Sequence, residues 1–340
     1  MALIFTDGFD HYNTPLQKWT TAAGANAPVM NSSFFRTGTQ SVRLNATTLG
    51  RQVLPAQEHA TFCAGFAIYF LNSTPLHFEF RSDSNATIHV RTVVTPGVNV
   101  ATVGVYRGAS ATLLASVSGL NIPLNSWSHI GVKATLHDTT GAVDVYLNGT
   151  NVLSATGLDT KNAGTKAVFD GVFFNESSFT SAYIDDFYLT NASGSVNTGF
   201  IGDCKIETLY PNAAGTTTGL TPSTGANYTT VDETPPNTTD YSGSATDELY
   251  DLYALANLTT TSGTVYGINI FAYSAKNDAG LKGGAIMLRT SSTDYERTSR
   301  SLATSYSYQN EIIENNPATS TAWTITEINA LEAGFKVKAS

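Results

Sequence analysis

Short stretches in which apolar and polar residues alternate recur along the chain. Residues 76–81 and 86–91 follow this pattern, and residues 61–70 form a mostly apolar run. Alternation with a period of two is typical of strands that bury one face, and a short apolar run is typical of a strand in a sandwich core. Asn148 and Gly149 stand between two further strand patterns and favour a two-residue hairpin turn.

The second half of the chain continues the strand pattern and adds one helix signal. Further strands are predicted at residues 264–274, 284–289 and 306–314. Thr324 and Glu327 have the spacing of a capping box, which predicts a short helix from Ile325 to Ala333. We therefore expect an all-β protein: an N-terminal jelly-roll β-sandwich, then a second β-sandwich-like domain with one short C-terminal helix.

A small, polar, apolar-poor stretch divides the chain. The 340 residues exceed what one core usually spans, so two domains are expected. We place the first domain at residues 1–192, a linker at 193–201 and a second, partner-docking domain at 202–340. Within the second domain, residues 211–247 are rich in Pro, Thr, Asn and Gly, and are predicted to form extended loops that face a partner.

Composition narrows the function classes. The formal net charge is -9 and basic residues do not cluster, so a nucleic-acid partner is not expected. No apolar run is long enough to predict a membrane span, and no basic leader precedes the first strand, so we expect no signal peptide. Cys63 and Cys204 stand far apart, which is typical of reduced thiols rather than of a disulfide framework or a zinc site.

Pieces of the first half occur in an order that is familiar from one superfamily. They are Ile4 to Tyr12 (IFTDGFDHY), Ser126 to Ile130 (SWSHI), Gly141 to Gly149 (GAVDVYLNG) and Tyr183 to Leu189 (YIDDFYL). As an ordered set they resemble the concanavalin A-like lectin and laminin-G-like jelly-roll superfamily. The resemblance covers most of residues 1–190 and implies a lectin-like first domain.

The second half is similar to a segment that recurs in virion proteins of tailed phages. Gly202 to Pro211 (GDCKIETLYP), Val231 to Tyr241 and Ala322 to Ala330 carry this similarity. It implies a bacteriophage virion structural protein, a capsid decoration or tail-associated appendage, that docks on other capsid or tail proteins and displays its lectin-like domain. The expected location is the virion, assembled in the bacterial cytoplasm, and a homo-oligomer such as a trimer is expected.

The alternative is a receptor-binding tail fibre or tip protein that recognises a host surface polysaccharide. Carbohydrate binding needs aromatic platforms in a groove. The candidates for this role are Tyr106, Trp127, Tyr146 and Tyr188.

The resemblance raises two further kinds of chemistry, a bound calcium ion and glycoside hydrolysis. Jelly rolls of this superfamily often hold a structural calcium ion, for which Asp7, Asp10, Asp185 and Asp186 are the candidate ligands. The favoured alternative is that Asp186 caps a turn and Asp7 lies in the Asp-Gly turn, so no cofactor is expected. The superfamily's glycosidases carry Glu-x-Asp-x-x-Glu on one strand, and because the sequence has no such strand we expect no enzyme and no catalytic residue.

Overall fold

The structure is a computed structural model that describes residues 2–24, 27–109, 112–175 and 182–339. It forms two compact units, Met1–Ile206 and Glu207–Ser340. Both are built almost entirely from antiparallel strands, which confirms the predicted all-β fold class. None of the helices in these residue ranges is long and apolar enough to cross a membrane.

The first unit is a sandwich of two antiparallel sheets, A and B. Its strands are β1 Leu3–Asp7, β2 Thr21–Gly24, β3 Val29–Asn31, β4 Ser41–Leu44, β5 Thr47–Gln52, β6 Thr61–Phe70, β7 Leu76–Ser82, β8 Thr87–Thr95, β9 Gly97–Arg107, β10 Thr112–Ile122, β11 Trp127–Thr135, β12 Gly141–Leu147, β13 Thr150–Leu158, β14 Gly171–Asn175 and β15 Ala182–Asn191. Single 3₁₀ turns lie at Pro15–Gln17 and Pro55–Gln57. Sheet A has the order β13-β12-β11-β6-β15-β4-β3, with β1 also on β15, and sheet B has the order β10-β9-β8-β7-β14-β5-β2.

Aromatic side chains fill the space between the two sheets. Phe62 and Phe66 of β6 meet Phe80 and Phe78 of β7, with ring centroids 6.1 and 5.1 Å apart. Each buried phenylalanine contributes roughly 2 kcal/mol of transfer free energy. The alternate residues of β7 point away from this core, so the period-two pattern in the sequence sets the outward face on which the candidate site lies.

The segment predicted as a linker, residues 193–201, lies within the first unit. The ring of Phe200 stacks on Tyr146 with the centroids 3.9 Å apart. The hydroxyl of Thr190 donates to the carbonyl of Gly199, and the amide of Ile206 donates to Asp186. Because these contacts fix the segment against sheet A, the structural boundary falls after residue 206 rather than at residue 192.

The second unit is built around one sheet, C, with the order β16-β19-β25-β21-β22 and β23 on β21. Its strands are β16 Pro211–Thr218, β17 Thr221–Pro222, β18 Ser242–Gly243, β19 Tyr250–Leu255, β20 Ile268–Ser274, β21 Gly283–Thr290, β22 Thr293–Glu296, β23 Arg300–Ser301, β24 Ser307–Ile313 and β25 Glu332–Lys338. Strands β17 and β18 form one separate pair, and β20 and β24 form another. The helix α1 spans Ile325–Asn329, and a 3₁₀ turn spans Asn227–Thr230.

Two local expectations for this unit were wrong. Residues 211–218 were predicted as loop but form β16, because the only proline of this segment is its first residue and does not interrupt the ladder with β19. The helix ends at Asn329 instead of Ala333, because the following strand β25 pairs with both β19 and β21. The predicted capping box is present, and Thr324 accepts a hydrogen bond from the amide of Glu327.

Candidate functional site

The outward face of sheet B carries a continuous row of side chains across neighbouring strands. The register places Leu113 of β10 opposite Tyr106 of β9, Tyr106 opposite Arg91 of β8, Arg91 opposite Glu79 of β7, and Glu79 opposite Phe173 of β14. We call these five residues the sheet B row. Paired residues in antiparallel strands point to the same side, so all five side chains lie on this face of the sheet. Leu113 is exposed and Tyr106 is partly exposed, whereas Glu79 and Phe173 are buried.

Glu79 is held between two arginines. Its side chain is 0% exposed, while the side chains of Arg81 and Arg91 are 15% and 12% exposed. Nε and Nη2 of Arg91 lie 2.7 and 2.6 Å from Oε1, and Arg81 places the same two nitrogens on Oε2. This geometry uses both carboxylate oxygens and fixes both guanidinium planes.

Phe173 forms the floor of this network. The guanidinium carbon of Arg81 lies 4.1 Å from the centre of the Phe173 ring, a cation–π contact. The same ring lies over Gly50, where a Cβ atom would come within 2.1 Å of it. A glycine on β5 is therefore required for Phe173 to lie flat on the sheet, and Phe173 in turn holds Arg81 in place.

A shallow groove runs beside Tyr106 at the β8–β10 end of the face. Its volume is about 200 Å³. The lining residues are Val93, Thr95, Thr102, Val103, Gly104, Tyr106, Leu113, Ser116, Val117 and Ser118. The Tyr106 ring leans over Gly104, where a Cβ atom would come within 2.8 Å of it, so the tyrosine forms one wall of the groove.

The electrostatics of this face differ from those of the chain as a whole. Burial and the neighbouring positive charge of Arg91 lower the pKa of His77, which keeps this half-buried histidine neutral at pH 7. Two arginines and one glutamate then leave an excess of one positive charge on the network, in a chain whose formal net charge is -9. Glycosidic hydrolysis needs a second carboxylate, and neither the sheet B row nor the groove lining brings one to Glu79.

The predicted aromatic residues do not come together. Tyr106 belongs to the sheet B row, but Trp127, Tyr146 and Tyr188 lie on the outward face of sheet A. Tyr188 is buried and its hydroxyl donates to the carbonyl of Gly202 at 3.1 Å, while Tyr146 lies under Phe200. Trp127 packs beside Tyr69 at a centroid distance of 5.5 Å. The four residues therefore do not line one sugar site.

Asp7 and Asp10 serve as hydrogen-bond acceptors within the fold. The Asp7 carboxylate accepts hydrogen bonds from Tyr12 Oη at 2.6 Å, Trp19 Nε1 at 2.7 Å and Lys18 Nζ at 3.1 Å. Asp10 Oδ1 accepts from the amides of residues 39 and 40. Burial lowers the pKa of Lys18 to about 8, against the opposing attraction of Asp7.

Asp185 and Asp186 lie together on β15, where they anchor loop residues. Asp185 accepts hydrogen bonds from the amides of Arg36 and Thr37, and Asp186 accepts from the Arg36 guanidinium and the Ile206 amide. Burial raises the pKa of both carboxyls. In the part of the chain that the structure describes, no three His, Cys, Asp or Glu side chains are placed to hold a metal ion. All four candidate calcium ligands therefore accept hydrogen bonds from protein donors.

The sequence contained a signal for the residues that were missed. The alternation over residues 76–81 puts His77, Glu79 and Arg81 on one polar face of a strand. That Arg91 and Phe173 lie on either side of Glu79 depends on the register with β8 and β14, which no local pattern gives.

Comparisons with known proteins add structural likenesses only. No protein-family model matches the chain, and no curated protein matches it. Solved structures that it resembles include the carbohydrate binding module CBM66 from Bacillus subtilis (14% identity, 51% of this chain, 98% of that one, TM-score 0.34). A second is the catalytic domain of a glycoside hydrolase family 131 protein from Coprinopsis cinerea (14% identity, 60% of this chain, 99% of that one, TM-score 0.36). A third is a galectin from Caenorhabditis elegans (7% identity, 44% of this chain, 96% of that one, TM-score 0.29). At these scores the likenesses carry no argument about ligand or activity, and the sandwich fold rests on its own strand pairing.

Proposed function

We propose that the first unit binds a carbohydrate chain on the outward face of sheet B, over Tyr106 and the network of Arg81, Glu79 and Arg91. The sheet B row carries this proposal, because it places an aromatic ring next to fixed planar hydrogen-bond donors on one open, grooved surface. Sugars bind to such surfaces by stacking an apolar ring face on an aromatic side chain while their hydroxyls meet polar groups.

The network supports binding because its donors are already oriented. Arg91 uses Nε and Nη2 on Glu79, and no acceptor for its Nη1 is found among the described residues. A ligand oxygen can therefore bind this nitrogen without ordering a flexible side chain, which lowers the entropic cost of binding. The excess positive charge favours saccharides that carry carboxylate groups over neutral ones.

A glycan array probed with the full chain tests the proposal, followed by titration of any bound glycan. Tyr106→Ala and Arg91→Met should each weaken binding by about tenfold or more, which corresponds to about 1.4 kcal/mol. The unfolding midpoint of each variant shows whether the fold is retained. Failure of the wild-type chain to bind any glycan, or unchanged affinity in both folded variants, would contradict the proposal.

Placement of this chain on a phage particle stays a prediction that rests on the resemblance of the second unit. Docking on capsid or tail proteins, with the first unit displayed outward, is compatible with a glycan-binding face. Immunogold labelling of phage particles would test it: label on heads favours capsid decoration, and label at tail tips favours the receptor-binding alternative. Absence of label from particles would contradict both placements.

The expectation that the chain is not an enzyme also stays a prediction. It is checked by incubating the bound glycan with the protein and measuring new reducing ends.

A further inference from the structure

The two arginines of the sheet B network differ in what their outer nitrogens bind. Both place Nε and Nη2 on the Glu79 carboxylate. Nη1 of Arg81 also donates to the carbonyl oxygen of Asn85 at 3.3 Å, and its guanidinium lies on the Phe173 ring. Nη1 of Arg91 has no acceptor among the described residues and is open to solvent. Arg91 therefore keeps the outer edge of its guanidinium, formed by Nη1 and the second hydrogen of Nη2, for a ligand.

A carboxylate is the ligand group that this outer edge fits. Two parallel N–H···O bonds join a guanidinium edge to a carboxylate, and such charge-assisted pairs are stronger than bonds to a neutral hydroxyl. Glu79 balances one of the two arginines, so the network can take up one further negative charge. Because Tyr106 lies directly opposite Arg91 in the register, a sugar ring over the tyrosine brings a carboxylate on that ring within reach of Arg91.

The groove beside Tyr106 has a different chemistry. No charged side chain is found among the described residues that line it. Four of the lining residues carry hydroxyl groups: Thr95, Thr102, Ser116 and Ser118. The Thr95–Thr102 pair lies four residues along β8 from the Arg91–Tyr106 pair, about 14 Å in an extended strand, so the groove leads away from the charged network. A neutral sugar can form hydrogen bonds there, whereas a carboxylate would lose water without gaining a cation.

We infer that the sheet B face selects an acidic heteropolysaccharide, in which a uronic acid alternates with a neutral sugar. The inference rests on the proposed function: the uronic acid stacks on Tyr106 with its carboxylate on the outer edge of Arg91, and the neutral neighbour occupies the groove. A polymer with a carboxylate on every sugar would place one in the uncharged groove. The formal net charge of -9 also repels such a densely charged polyanion.

Chemically matched ligands test this selectivity on the full chain. The probes are oligosaccharides of hyaluronan, unsulfated chondroitin and heparosan, in which glucuronic acid alternates with an N-acetylhexosamine, and the same oligosaccharides with their carboxyl groups reduced to alcohols. In isothermal titrations the wild-type chain should bind at least one acidic form about tenfold or more tightly than its reduced form. Arg91→Met should bring this ratio close to one, whereas Tyr106→Ala should weaken both forms alike.

A gain of binding provides a second test that leaves the network intact. Ser118→Lys adds a positive charge to the groove at an exposed position. It should raise the affinity for oligogalacturonate, which has a carboxylate on every sugar, by about tenfold. The matched control Asn121→Lys puts the same charge on an exposed residue of β10 outside the groove, and should leave this affinity unchanged.

The outcomes separate this inference from the proposed function. Equal affinity of the wild-type chain for acidic and reduced forms would overturn the selectivity, and Tyr106-dependent binding of the reduced forms would leave the proposed function in place. Wild-type affinity for oligogalacturonate as high as for the alternating oligosaccharides would overturn the alternation. Binding of neither form would overturn the inference, and the glycan array then decides the proposed function by itself.

Discussion

The two outward faces of the sandwich show how one alternating pattern produces two different surfaces. On sheet A, Phe34 packs on Tyr69 and Tyr183 at 5.2 and 4.9 Å, and Phe200 stacks on Tyr146, so the chain covers its own aromatic residues. On sheet B the outward side chains are bound mainly to one another, and a groove lies beside them. Outward aromatic residues therefore do not by themselves indicate a binding surface, and what lies over them decides their role.

The largest test of this comparison removes the charge on which the sheet B face depends. Glu79→Gln leaves two largely buried arginines without their carboxylate, and should lower the free energy of unfolding by about 3 kcal/mol in urea titrations. Asp186→Asn on sheet A is the matched control and should cost less, because Arg36 keeps its ion pair with Asp203. Replacing all three charges, Glu79→Leu with Arg81→Met and Arg91→Met, should recover most of the loss. Equal losses in both single variants would remove the distinction between the faces.

A second test concerns the covered face and uses pH. His129 packs against the rings of Tyr188 and Phe200. Its burial there lowers its pKa from 6.5 to about 4. Between these two values the unfolded chain binds more protons than the folded chain, so stability present above pH 6.5 is lost as the pH falls toward 4. We expect a loss of about 2 kcal/mol at about pH 5 that His129→Gln removes.

His77 on sheet B provides the comparison for that experiment. Its pKa is lowered in the same direction, but it is only half-buried, so His77→Gln should change the pH dependence of the unfolding free energy less than His129→Gln does. A larger effect at His77 would mean that sheet B, and not sheet A, is the covered face.

The smallest expected effect is the one that separates the two faces in function. Trp127→Ala removes a large aromatic side chain from sheet A, and should change glycan affinity by less than about twofold, a difference below about 0.4 kcal/mol. Isothermal titration measures this change in affinity, with the same glycan whose binding Tyr106→Ala weakens. A tenfold loss would place the sugar on sheet A and return the predicted role to Trp127.

The sequence allowed the strands to be predicted because their signal is local. The run at residues 61–70 became β6, and the Asn148-Gly149 turn joins β12 to β13, with φ angles of 48° and 83° at these two residues. The site was only partly predictable. Alternation separates inward from outward residues, but it does not say which sheet a strand joins, which is why Tyr106 was grouped with Tyr146 and Tyr188. The partners of Glu79 depend on register across strands that are distant in sequence.

The segment from residue 193 to residue 206 has a practical consequence for preparing the first unit alone. A chain ended after residue 192, where composition suggests a boundary, would lack Phe200, which packs on Tyr146 and His129, and the Ile206 amide, which binds Asp186. The shortened unit would expose apolar aromatic surface and would be prone to aggregate. A chain ended after residue 206 keeps that surface covered, so residue 206 is the end point to choose when the first unit is to be crystallised or immobilised by itself.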